Sequence, residues 1–209
     1  MKILRNLILI NIISLIFFIF IIIELLSNGF LVRVDLLINS IIPQIENSFL
    51  TNFSNIIGIL FGTISMIIIS LILVIYLWFR YSKWKSIFFG ITMLLSGLVF
   101  YIIKEIVQRA RPLNSLVIKT DFAFPSGHVT SSIVFFGLIT YLILNKSKSK
   151  NLKLAIILIS IFMVLLICFT RLYLNVHWFT DVLAGLVLGT FILTICMIIK
   201  EFLEIKYSL

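Results

Sequence analysis

The sequence predicts an all-α, polytopic membrane protein built as a six-transmembrane-helix bundle. Of the 209 residues 62% are hydrophobic, well above the roughly 45–50% apolar content of soluble domains, and the mean hydropathy is +1.24. Uncharged apolar runs occur at Leu7–Ile23, Ile56–Phe79, Ser86–Ile103, Val129–Leu144, Leu154–Thr170 and Val182–Ile199. A membrane-spanning helix needs about 20 mostly apolar residues, so each run is read as one span.

The first run follows Lys2 and Arg5 in the manner of a secretory signal. It is long, however, and no small-x-small cleavage site follows it, so it is read as a retained span. Between the first two runs, Leu37, Ile38, Ile41, Ile42, Ile45 and Phe49 recur at helix-like spacing with Asn39, Gln44, Glu46 and Asn47 between them. Two readings fit equally: an interfacial helix that guides lipid to a site, or a plain amphipathic connector. Pro43 is expected to break it or start a turn. The third to sixth spans begin from runs slightly short for a bilayer, so their helices are expected to continue into flanking polar residues. Lys146-Ser147-Lys148-Ser149-Lys150 reads as a solvated loop. No repeat, long linker or soluble domain interrupts the pattern. Residues 1–209 are therefore read as a single membrane-embedded domain with its motif core at 104–181. Cys168 and Cys196 fall near opposite ends of spans five and six and are not expected to pair. Gly185 and Gly189 form a small-xxx-small pair on span six, expected to pack within the chain. The oligomeric state is not legible.

The net charge of +9 does not indicate nucleic acid, because the basic residues alternate between the two sets of helix ends. One set carries Lys2, Arg5, Arg80, Lys83, Lys85, Lys146, Lys148, Lys150, Lys153, Lys200 and Lys206 against Glu201 and Glu204. The other carries six basic groups against six acids. The positive-inside rule puts the Lys-rich ends, and with them both termini, in the cytoplasm of a cell whose plasma membrane the chain spans. Attraction to anionic lipid accounts for the remaining charge.

Three polar clusters then fall together on the outer side, where ionisable groups near hydrocarbon read as functional. Lys104 through Arg111-Pro112 ends span three, Pro125-Ser126-Gly127-His128 opens span four, and Arg171, His177 and Asp181 join spans five and six. Asp181 follows His177 by four residues, so on a helix the two share a face. A carboxylate on one ring nitrogen fixes the tautomer and leaves the other as an attacking lone pair. Lys104, Arg111 and Arg171 supply three cations suited to a phosphoryl group. Arg109 and Lys119 are read as interfacial snorkelling residues. Gly127 permits close backbone approach, Ser126 offers a hydroxyl and a cap, and the free N–H groups of a helix start favour an anion. His128, at the same helix start, can protonate a departing oxygen and then deprotonate water.

Together these residues resemble the type 2 phosphatidic acid phosphatase superfamily, with its Lys-x6-Arg-Pro, Pro-Ser-Gly-His and Ser-Arg-x5-His-x3-Asp motifs. Here they are Lys104 to Arg111-Pro112, Pro125 to His128, and Thr170-Arg171 to His177 and Asp181. One position departs: Thr170 stands where the family has serine, which keeps a hydroxyl and adds a methyl beside Arg171. The resemblance implies that His177 attacks phosphorus, that Asp181 orients it and that His128 serves as acid and then base. It further implies that Lys104, Arg111, Ser126, Gly127 and Arg171 hold the phosphate, with no metal and no cofactor.

The expected activity is hydrolysis of a terminal phosphate from a membrane lipid at the outer face. Undecaprenyl pyrophosphate is slightly favoured over phosphatidylglycerophosphate or phosphatidate. A lipid phosphotransferase using the same phosphohistidine and a non-enzymatic carrier of phosphorylated lipid are the alternatives. Haloperoxidase activity, found in distant soluble relatives, is disfavoured for so apolar a chain.

Overall fold

The computed structural model describes residues 2–207. The side chains of Lys2 and Lys206, counted above in the charge balance, lie outside the described ones. Among the described residues are eight α-helices: α1 (Lys2–Leu26), α2 (Phe30–Ile41), α3 (Ser48–Leu60), α4 (Thr63–Arg80), α5 (Lys83–Val107), α6 (Gly127–Lys146), α7 (Lys150–Tyr173) and α8 (Phe179–Tyr207). Six of them, α1 and α4 to α8, are long and apolar enough to cross a membrane. As expected, α5 to α8 run past their apolar stretches into polar flanks.

Helices α6 and α8 form the centre. About half of the membrane-length stretch of α8 is buried, against about a fifth for α1, α4, α5 and α7. Phe124, Val134, Leu138, Ala184, Leu188 and Ile192 pack there, with Phe18 and Ile21 of α1 and Phe89 of α5. Gly185 and Gly189 let α8 close on α6: a Cβ at either position would meet Val129 or Ile133 and a main-chain oxygen of α6 or its cap. The small-residue pair thus packs within the chain. The outward faces carry large apolar side chains such as Phe17, Ile72, Leu94 and Phe162, which suits hydrocarbon and not water. Two pairs of polar residues inside the spans bond to one another: Asn11 Nδ2 donates to Thr194 Oγ1 at 2.9 Å, and the Thr140 and Ser160 hydroxyls meet at 2.7 Å. Cys168 and Cys196 are buried free thiols.

One span differs from expectation. The apolar run Ile56–Phe79 is not a single helix: α3 ends at Leu60 and α4 starts at Thr63 after a break at Phe61-Gly62. Hydropathy cannot see the break because both sides are equally oily. The break requires glycine at 62, since a Cβ there would crowd the Gly58 carbonyl. Helix α3 thereby leaves the line of α4 and packs against α7. The amphipathic segment before it forms α2, a 3₁₀ turn at Ile42–Gln44 that contains Pro43, and the first half of α3, which Asn47 caps by accepting from Leu50 N at 2.9 Å.

Candidate active site

The end of α5, the start of α6, the end of α7 and the start of α8 all lie at one end of the bundle, where α2 and α3 cover them. Lys104, in the last turn of α5, is 6% exposed. A lysine so buried requires a partner, and its Nζ donates to Asp121 Oδ2 at 2.5 Å. Arg111 donates to the other oxygen, Asp121 Oδ1, at 2.9 Å, to the Asp121 carbonyl at 2.8 Å and to the Val176 carbonyl. Its Nη1 also lies 3.4 Å from His177 Nε2. The segment from Gln108 to Ser126 is thus folded back over the bundle end, tied by Ala123 N to Arg109 O and Leu116 N to Leu174 O. Burial pushes the Asp121 carboxyl up, but hydrogen bonds from Lys104 and Arg111 and their charges win and hold it at about 2.

His177 precedes α8 rather than riding on it, so the helical i,i+4 argument gives the right pair for the wrong reason. The chain turns through Leu174–Trp178, and Asp181 in the first turn of α8 reaches back. Its Oδ2 accepts from Trp178 N at 2.9 Å and faces His177 Nδ1 at 3.5 Å. That distance is long for a hydrogen bond, and Nδ1 has no other partner. The buried ring is pushed down to about 4 by desolvation, against the pull of Asp181 upward. At neutral pH the imidazole is uncharged, with Nε2 turned toward Arg111.

His128, in the first turn of α6, and Arg171, near the end of α7, meet the same stretch of α3. His128 Nε2 is 3.2 Å from the Gly58 carbonyl, and Arg171 Nη2 donates to the Ser54 carbonyl at 3.2 Å. A Cβ at Gly58 would overlap the Arg171 guanidinium, so glycine is what allows α3 to lie this close. The Thr170 hydroxyl donates to Ile167 O at 2.9 Å and lies 3.4 and 3.3 Å from Arg171 Nε and Nη2. The oxygen that threonine shares with serine is the atom in use.

Ser126 does not cap α6 with its side chain, contrary to expectation; its hydroxyl is buried without a partner, while its N–H donates to the Asp181 carbonyl at 3.0 Å. At Gly127 a Cβ would strike the Phe100 ring of α5, so helix packing is one reason for glycine there.

Arg109 is the clearest correction. It does not snorkel: its side chain is 12% exposed and it donates to Asp181 Oδ1 at 2.5 Å, Thr180 Oγ1 at 2.6 Å and Asp35 Oδ2 at 2.6 Å. Two acids at one buried place need a cation, and Arg109 pairs with both. Asp35, from α2, had not been singled out, although an acid amid Val32, Val34, Leu36 and Leu37 is the intramembrane-type signal that could have found it.

With this geometry in place, the pattern of the PAP2 superfamily matches residues 85–204. The chain belongs to that superfamily. It is 32% identical over 130 residues to phosphatidylglycerophosphatase B of Bacillus subtilis, covering 60% of this chain and 62% of that one. It is 29% identical over 114 residues to an undecaprenyl-diphosphatase of Sulfolobus acidocaldarius, covering 49% and 51%. The matched segments thus span between half and two thirds of these relatives. Among solved structures, the transmembrane PAP2-type phosphatidylglycerolphosphate phosphatase of Bacillus subtilis superposes with a TM-score of 0.83 at 22% identity, covering 92% of this chain and 96% of that one. Aquifex aeolicus LpxE gives 0.62 at 22% identity, over 79% and 93%. These likenesses establish the membrane fold.

Proposed function

We infer that the protein is an integral-membrane lipid phosphatase that hydrolyses the terminal phosphate of a lipid phosphate or pyrophosphate through a phosphohistidine. The observation that carries the reading is the placement of His177: an uncharged ring with Asp181 on the Nδ1 side and Arg111 at the Nε2 side. In the proposed reaction Nε2 attacks phosphorus and the bond to the leaving oxygen breaks, with His128 giving that oxygen its proton. His128 then takes a proton from water, whose oxygen displaces the phosphoryl group from Nε2 and regenerates the ring. Lys104, Arg111 and Arg171, with Ser126 and the N–H groups at the start of α6, would hold the equatorial oxygens. The reading needs no metal, since in it three cations would stabilise the developing charge. One membrane-embedded domain would suffice, with its core from Lys104 to Asp181.

Phosphatidylglycerophosphate is the substrate the reading favours, in place of the undecaprenyl pyrophosphate slightly favoured on sequence, because the relative that is 32% identical bears that activity in its name. Undecaprenyl pyrophosphate is the second reading, supported by the archaeal relative. The charge asymmetry of the helix ends supports cytoplasmic termini and an outward-facing site in the plasma membrane. Phosphate release from these two lipids and phosphatidate, by purified protein in detergent with and without chelator, tests the reading. Release from phosphatidylglycerophosphate, unaffected by chelator and abolished in His177→Ala, is expected. Release from none of the three would overturn it, and phosphate appearing on an acceptor other than water would mark a transferase.

A further inference from the structure

Asp181 does not stand alone behind His177. Its Oδ1 is held by Arg109 Nη1 at 2.5 Å, and the same guanidinium turns Nη2 to Asp35 Oδ2 at 2.6 Å. Asp35 also accepts the Thr180 N–H at 2.8 Å and the Thr180 hydroxyl at 2.6 Å, so an acid from α2 caps the start of α8 one residue before Asp181. The guanidinium packs over the Trp178 ring at 5.3 Å, and Trp178 Nε1 donates to Ala110 O at 2.8 Å. Asp35 and Asp181 are 2% and 0% exposed. Asp35 lies outside the segment that matches the superfamily, and Arg109 and Thr180 fall on unspecified positions within its motifs.

One cation between two buried carboxylates leaves a net charge of −1 facing His177. A second acid that shares the cation also keeps Asp181 from being neutralised by Arg109 outright. A carboxylate fully paired with arginine stabilises a neighbouring cation poorly, whereas one that shares its arginine retains part of its charge for the ring. The ring needs that charge when Nε2 gains its bond to phosphorus and Nδ1–H becomes the proton of a cationic imidazole. We propose that Asp35 and Arg109 are positioning residues for the reaction at His177: Arg109 fixes the Asp181 carboxylate, and Asp35 sets how much of the Arg109 charge that carboxylate must bear. This rests on the phosphatase reading above.

The test is a charge-balancing cycle in purified protein, with phosphate release from phosphatidylglycerophosphate micelles as the readout. Asp35→Asn keeps the shape and an acceptor for Thr180 N–H and puts Arg109 wholly on Asp181. A fall in kcat of about 10-fold is expected, the lower end of the range for partners that orient a reacting or liganding histidine from behind, with KM within about 2-fold because the cations around the phosphate are untouched. Arg109→Gln strands two adjacent buried acids and is expected to lower kcat by about 100-fold or more. The double variant again leaves Asp181 as the single charge, and its kcat is expected to rise at least about 10-fold above that of Arg109→Gln, a coupling that contacting charges show and independent packing defects do not. A double variant at or below the product of the two single losses would overturn the proposal. Should Arg109→Gln fail to fold, Asp35→Asn decides alone: an unchanged kcat, or a loss expressed in KM, overturns it. Wild-type protein that releases phosphate from none of the three lipids would sink the phosphatase reading and this inference with it, whereas active wild type with multiplicative losses sinks this inference only.

Discussion

Arg111 Nη1 stands 3.4 Å from His177 Nε2, on the side of the ring away from Asp181. The same guanidinium is fixed by the carbonyls of Val176 and Asp121 and by the Asp121 carboxylate, so its plane is set before anything binds. A phosphorus atom in line with Nε2 would present an equatorial oxygen to that fork. Arg111→Ala is expected to lower kcat/KM by about 10²–10³-fold, the usual loss for a preorganised donor at developing charge. Arg111→Lys should recover only a small part, because a point charge cannot make the parallel contacts of the fork. Steady-state kinetics on the two variants, with recovery by Lys to near wild type counting against the geometry, checks this.

Helix α3 contributes through what it lacks. The Gly58 position faces the Arg171 guanidinium so closely that a methyl there must displace it, and the Gly58 carbonyl is also the neighbour of His128 Nε2. Gly58→Ala should therefore lower activity by about 10-fold or more through a shift of Arg171, in proportion to the roughly 1 Å misplacements that cost about 10²-fold in preorganised sites. Gly97→Ala is the control, since a Cβ there meets nothing within 4 Å, and its activity should match wild type. Equal activity of the two variants would show that α3 does not set the position of Arg171.

The six spans were legible because hydrocarbon imposes one rule on every lipid-facing residue, and the three motif clusters were legible because charged groups beside such spans are costly. What escaped was geometry that apolar residues hide. The bend at Phe61-Gly62 lies within an unbroken oily run, so no change of polarity marks it. A basic residue at a helix end is ordinarily solvated, so the sequence makes Arg109 a snorkelling residue; its burial depends on Asp35, which lies 74 residues earlier in the chain. The pairing of His177 with Asp181 was anticipated from helical spacing, yet it forms across a turn, where the Trp178 N–H fixes the carboxylate.

The depressed basicity of His177 makes stability depend on pH in a defined window. The folded ring titrates at about 4 and an unfolded one at 6.5, so below 6.5 the unfolded chain binds the proton more readily. Stability is fully present above 6.5, falls as pH drops from 6.5 to 4, and levels off below. The total is about 3 kcal/mol by linkage. His177→Asn removes this contribution. Thermal unfolding in detergent should show the gap between wild type and variant change between pH 7 and 4, with wild type losing more. Parallel curves for the two proteins across that range would contradict the burial of a neutral ring.

In the proposed reaction Asp121 would compete with a phosphoryl group for two cations at once. Its carboxylate joins Lys104 and Arg111, yet about half of its side chain is exposed, so it can leave toward solvent while both cations remain in place. A bound phosphate must take over both hydrogen bonds, and the free energy of the existing pair is subtracted from its affinity. Asp121→Asn weakens that competitor without removing its shape. Inhibition by inorganic phosphate should become several-fold tighter and KM should fall, with kcat changed less than either. Because the folded carboxyl titrates at about 2 against 3.8 in the unfolded chain, its own stabilisation is present above 3.8 and lost only as pH falls toward 2, below the His177 window, so the two effects separate on the pH axis. Phosphate inhibition that weakens in Asp121→Asn would instead make Asp121 a support that holds Lys104 and Arg111 in their binding positions.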